Sequence, residues 1–96
     1  MNKSKYTVKF TTQFKKDYKQ IGKQGLPVQL LNNIINQLSM GVPLPTKNKD
    51  HALSGNWNGY RECHVQPDWL LIYRVDNNVL VLTLTRTGTH SELFGK

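Results

Sequence analysis

The chain has 96 residues and one cysteine, enough for one domain, residues 1–96, with a single core, and it cannot close an internal disulfide. It has no apolar stretch of membrane-spanning length and no charged-then-apolar leader, so a soluble cytoplasmic protein without membrane contact is expected. The formal net charge of +7 is lopsided: nine lysines precede Asp50 against the single acid Asp17, whereas Asp50 to Lys96 nets −1, with four cations and five carboxylates.

Such an asymmetry attracts polyanions, either nucleic acid or an acidic protein, although a lysine-rich face can also be merely solvated. Along the chain, Tyr6 to Phe10 alternates and leads into Thr11-Thr12, which predicts a strand and then a helix N-cap. The helix is expected from about Thr12 to Ile21. Phe14, Tyr18 and Ile21 share one side, as core rather than as a base-stacking platform, and Lys15, Lys16, Lys19 and Lys23 take the rest of the circumference. Gly22 and Gly25 interrupt it, and Pro27 sits at an expected first helical position. A second helix is predicted from Pro27 to Met40, where Leu30, Leu31, Ile34, Ile35 and Leu38 form an apolar stripe; Gly41 caps it and Pro43 prevents its continuation. The two helices should pair antiparallel over one face of a sheet and leave the other face to a ligand. Val42 to Asp50 reads as a loop leading to His51.

Three strands follow. Tyr60 to Val65 is rich in β-formers, Gln66-Pro67 interrupts it, Trp69 to Val75 is apolar at both parities, Asp76-Asn77-Asn78 is a turn cluster, and Val79 to Thr85 is again β-branched and aliphatic. This is a meander with Trp69 to Val75 at its centre, and the whole chain is α+β in the order β-α-α-β-β-β. In a meander the end of the first strand, the start of the second and the end of the third share one edge. His64, Asp68, Arg86 and His90 should therefore converge there. With Cys63 and Val65 facing inward, His64 points to the open face, and Cys63 reads as a small buried hydrophobe. Arg86 alternates with Leu80, Leu82 and Leu84, so it either emerges at the strand end or is re-aimed by a bulge near Thr85.

The histidines lack a local metal-ligand spacing, and there is neither an HExxH motif nor a cysteine pair, so no metal or cofactor is expected. A basic protein with histidines, an aspartate and arginines at one edge matches metal-independent RNA cleavage. That reaction needs a base for the 2′-OH proton, an acid for the departing 5′ oxygen, and cations for the phosphate. Histidine serves as either acid or base near neutral pH. Singly, each residue has an ordinary use: His51 caps a loop, His64 is a half-buried strand residue, Asp68 follows Pro67 in a turn. Their convergence favours chemistry.

The segments from Asp50 to Trp57, from Gly59 through Tyr60-Arg61-Glu62-Cys63-His64 and Pro67-Asp68-Trp69 to Tyr73, and Arg86-Thr87-Gly88-Thr89-His90-Ser91-Glu92-Leu93-Phe94-Gly95 resemble the signature of the YafQ branch of RelE-type toxins. The resemblance spans nearly the whole chain, with Glu62-Cys63 where an acidic-small pair is typical, and Lys96 past Gly95, as minor departures. It implies a RelE-like, microbial-RNase-type fold and an mRNA interferase of a type II toxin–antitoxin system, cleaving the A-site codon on the ribosome through a 2′,3′-cyclic phosphate. It carries catalytic roles onto His51, His64, Asp68 and His90, with Asp68 and His90 the main proton-transfer pair. It further implies Trp69 and Phe94 as residues that position bases or shape the site, with packing an equal reading for both. Arg86 is chosen for phosphate stabilisation, and Arg61, Lys47 and Lys49 for RNA contact, on charge and placement. The N-terminal lysines would hold ribosomal RNA. An acidic, partly disordered antitoxin is the expected partner, with operator DNA bound only through it. Two other readings stand beside this one: a ParE-like toxin that inhibits gyrase, and a basic nucleic-acid-binding module without catalysis.

Overall fold

The computed structural model describes residues 4–95; Lys3 and Lys96 lie outside them. Strand β1 (Thr7–Phe10) is followed by helices α1 (Thr12–Lys23) and α2 (Val28–Ser39), then by strands β2 (His51–Ala52), β3 (Arg61–Gln66), β4 (Trp69–Asp76) and β5 (Val81–Gly88), and finally by helix α3 (His90–Phe94). The RelE-like β-α-α-β-β-β order is present, with the two-residue β2 and the short α3 added to it.

Thr11 caps α1 as its position predicts, the side-chain oxygen accepting from Phe14 N at 2.9 Å, and it also donates to Thr85 O at 2.8 Å. The helix runs two residues past Ile21, through Gly22 to Lys23, because only Gly25 turns left-handed (φ 77°). Pro27 stands at the N-cap rather than inside α2. Gly41 takes φ 73° just after that helix, as a C-terminal cap requires. Tyr18 donates to Asn32 at 2.8 Å across the helix pair. Of the predicted stripe on α2, Leu31, Ile34 and Leu38 are buried and Ile35 partly so, whereas Leu30 is exposed.

The sheet order is β1-β5-β4-β3-β2, with β4 central and β1 parallel to β5. The pairing of β3 with β4 shifts register between His64 and Gln66 (His64 with Leu70, Gln66 with Trp69), and Pro67-Asp68 is left as a two-residue hairpin loop. β5 begins at Val81, two residues later than its composition suggests. Val79 and Leu80 belong to the turn, where Asp76 accepts from Asn78 N at 3.0 Å, and both are exposed. The anticipated bulge is present: Tyr73 pairs with Leu84 and Ile72 with Arg86, so Thr85 is the extra residue.

Phe14, Ile21, Leu31, Ile34 and Leu38 pack with Cys63, Val65, Trp69, Leu71, Tyr73, Leu82 and Leu84 in the main core between helices and sheet. The other face is not left bare, contrary to expectation. Leu70 and Ile72, buried there, need apolar cover, and Leu93 of α3 with Leu53, Trp57, Tyr60 and Phe94 supplies it. Gly88 makes the approach possible, since a Cβ there would lie 2.9 Å from Glu92 Oε1 and 3.4 Å from Leu93 Cδ2. What stays open on this face is its rim.

Candidate active site

Strand alternation puts Glu62 and His64 on the face opposite Cys63 and Val65. β2 then sets His51 directly across from Glu62. The Nε2 atoms of His51 and His64 both lie 3.7 Å from the same oxygen, Glu62 Oε1. The other nitrogen of each ring meets a backbone carbonyl: His51 Nδ1 with Lys49 O at 2.7 Å, His64 Nδ1 with Pro67 O at 3.2 Å. A carbonyl only accepts, so Nδ1 carries the proton in both rings and Nε2 is the atom left for chemistry.

His64, Leu70 and Gly88 are successive neighbours across three strands, and the end of β5 delivers the chain to His90. His90 N approaches Asp68 Oδ1 at 3.5 Å, so the hairpin loop and the first residue of α3 sit side by side. That helix is held by a capping box, in which Thr89 Oγ1 accepts from Glu92 N at 3.1 Å and Glu92 accepts from Thr89 N at 2.8 Å. The bond from Thr89 N lowers the Glu92 pKa below its ordinary value. One turn on, the Phe94 ring packs on His90 at 4.9 Å and on Trp57 at 6.1 Å. His51, His64, Asp68, His90 and Phe94 thus border one end of this face, at its rim.

Lys47 and Lys49 flank the set from the loop before β2, lining with His64, Gln66 and Pro67 an open groove of about 380 Å³. Asn48 between them is buried and donates to His64 O at 2.7 Å, which ties this loop to β3.

Three of the expected residues lie elsewhere. Trp69 is 2% exposed in the main core, its Nε1 donating to Thr87 Oγ1 at 2.9 Å, so it supports the sheet from below and cannot stack on a base. Arg86 turns to α1, where Nε and Nη2 reach the two oxygens of Asp17 at 3.0 and 3.1 Å. The Asp17 hydrogen bond raises the Arg86 pKa, and the bulge at Thr85 makes the re-aiming possible. Arg61 shares parity with Cys63, on the helix side, and its guanidinium lies 3.4 Å from Asp50, which also accepts a hydrogen bond from the Tyr73 hydroxyl. Glu62 is the residue sequence reasoning passed over. Its signal was an acid two residues before His64 on the same strand face; its pairing with His51 depended on β2, which no composition announced.

Comparison with known proteins agrees with the fold. The family model of the YafQ bacterial toxin of type II toxin–antitoxin systems matches residues 6–95. The mRNA interferase toxin YafQ of Escherichia coli K12 is 40% identical over 89 residues, covering 92% of this chain and 95% of that protein. The crystal structure of YafQ from E. coli BL21(DE3) superposes with a TM-score of 0.89 at 38% identity, covering 94% of this chain and 99% of the other. YafQ in the crystal structure of the E. coli DinJ–YafQ toxin–antitoxin complex gives 0.87 at 39%, covering 95% and 99%.

Proposed function

The chain belongs to the YafQ family of type II toxins, and from that premise we propose that it is an mRNA interferase, a ribosome-dependent endoribonuclease that cuts mRNA in the A site without a metal. The observation that carries this reading is the gathering of His51, His64, Asp68 and His90 at the rim of the second sheet face. A gyrase inhibitor or a simple binding module has no need of proton-transfer groups.

In the proposed reaction a base removes the 2′-OH proton, the alkoxide attacks the adjacent phosphorus, and an acid protonates the departing 5′ oxygen, leaving a 2′,3′-cyclic phosphate. Asp68 and His90 are the main proton-transfer pair, with His51 and His64 assisting through Nε2. Arg86 is held by Asp17, so charge on the phosphate falls to the imidazoles and to Lys47 and Lys49. Phe94 offers a base an aromatic edge beside His90. The lysines of α1 are suited to ribosomal RNA phosphates. So small a site has few groups to orient the scissile phosphate, which the ribosome would supply.

The surplus of lysines before Asp50 fits an acidic, partly disordered antitoxin, and YafQ of E. coli has been crystallised in a toxin–antitoxin complex with DinJ. Operator DNA would be reached through that partner. A ribosomal target implies the cytoplasm, and none of the described helices is long and apolar enough to cross a membrane. Residues 1–96 are read as one toxin domain.

The test is primer extension on a defined mRNA in programmed ribosomes, comparing the wild type with folded His90→Ala and Asp68→Ala. A-site cuts by the wild type, strongly reduced in both variants, are expected. Intact mRNA with the wild type would reject the interferase and make a supercoiling assay with gyrase the next experiment.

A further inference from the structure

A buried carboxylate needs a partner that returns what it loses in hydration. Glu62 is 7% exposed, and its ion-pair contacts among the described residues are two imidazoles, those of His51 and His64. Both contacts are made by one oxygen, so the two Nε2 atoms are no farther apart than twice 3.7 Å. At 3.7 Å neither contact is a hydrogen bond, so the one oxygen acts on both rings as a shared counter-charge.

The backbone fixes the other side of each ring. Lys49 O and Pro67 O hold Nδ1–H, which turns each Nε2 toward the carboxylate. A neutral ring in this tautomer would present a lone pair to a negative oxygen, so the contact becomes attractive when Nε2 carries a proton.

We propose that Glu62 is the positioning residue of the site, a shared counter-charge that faces Nε2 of both His51 and His64 and makes the two histidines act as a coupled pair. The proposal rests on the RNA-cleavage reading for its consequence and on geometry alone for its existence. β3 supplies two members at alternate positions, and β2 brings the third across the ladder. Neither ring needs a contact with the other. Glu62 need not touch RNA; it acts through the histidines.

Two variants test it, Glu62→Gln, which keeps the shape and removes the charge, and Glu62→Ala. Long-range ¹H–¹⁵N spectra of the free protein should show the ring nitrogens of both His51 and His64 changed by Glu62→Gln and those of His90 unchanged. In single-turnover cleavage on programmed ribosomes Glu62→Ala should lose about 10²-fold in rate, the scale of a catalytic group misplaced by about 1 Å. Added to His64→Ala, the same substitution should cost far less than it does alone, because the pair acts as a unit. Imidazole spectra unaltered by Glu62→Gln would overturn the proposal, as would fully additive losses. Should Glu62→Ala fail to fold, Glu62→Gln carries both readouts. The spectra require no RNA, so a wild type that does not cleave would reject the interferase while leaving the shared counter-charge to stand or fall on its own signals.

Discussion

Arg86 and Asp17, 69 positions apart, form a two-pronged ion pair at 3.0 and 3.1 Å, and Asp17 also accepts from Thr87 N at 3.2 Å. β1 pairs with β5 only as far as Leu84, so beyond it the carboxylate of α1 takes the place of a neighbouring strand. Arg86→Ala should therefore act on stability, by about 2 kcal/mol for charge-assisted bonds in a half-buried place. Urea denaturation reads this directly. Cleavage per folded molecule should change little, and a selective loss of rate without loss of stability would return Arg86 to the phosphate.

The Tyr73 hydroxyl donates to Asp50, next to His51, and Arg61 approaches the same carboxylate. Tyr73→Phe should cost about 1 kcal/mol, the usual worth of such a bond. It should also slow cleavage mildly by loosening the entry to β2. Burial pushes the Tyr73 phenol far above its ordinary range, with the Asp50 bond adding to it. Absorbance titration of wild type and Tyr73→Phe should coincide until alkaline unfolding begins.

Trp69 and Phe94 should separate cleanly. Trp69→Phe gives up a buried hydrogen bond to Thr87 and part of the core, a loss of about 2 kcal/mol. Phe94→Leu keeps an apolar side chain over the sheet but removes the ring beside His90. Stability should move by less than about 1 kcal/mol, while cleavage falls about tenfold if the ring stacks on a base. Measuring both quantities in both variants decides which aromatic belongs to the site.

Cys63 is fully buried, and burial pushes its thiol up to about 12 from 9.0. A thiol-specific reagent at pH 8 should react only as fast as the protein opens, so native protection should vanish in urea. Because the folded pKa is the higher one, the stabilisation is complete below 9.0 and is lost as pH rises toward 12. Cys63→Ala should consequently show a shallower alkaline loss of stability than the wild type.

Glu92 runs the other way. Its carboxylate is held below its ordinary 4.5 by Thr89 N, so its contribution is present above 4.5 and is lost as pH falls through the lower folded value. Protection of the Thr89 amide, its exchange referred to the unstructured rate at the same pH, should fall on acidification in the wild type and be low at every pH in Glu92→Ala. Protection at Thr89 indifferent to both would remove the capping box from the account of α3.

Much of the site was legible. The alternation of Arg61-Glu62-Cys63-His64-Val65 sorts those side chains between two faces wherever the strand pairs, and a meander joins His64, Asp68 and the end of β5 at one edge. Thr85 was a foreseeable bulge because Arg86 broke the aliphatic parity. The helix over His90 was not foreseen, because five residues carry too little periodicity to announce themselves. Nor did the sequence choose between packing and base contact for Trp69, since an apolar strand at both parities does not say which side chain faces which layer.

By itself the sequence determined the order of elements, the inward parity of Cys63 and Val65, the Thr11 cap and the arrival of the catalytic candidates at one edge. All of these follow from the period of the backbone and from residues a few positions apart. Tertiary structure alone decided that Asp17 would claim Arg86, that α3 would roof Leu70 and Ile72, and that β2 would set His51 against Glu62. These pairings join groups from separate elements. Only the packing of helices and strands around the buried apolar side chains brings them within reach, and each charge then takes the partner that packing leaves beside it.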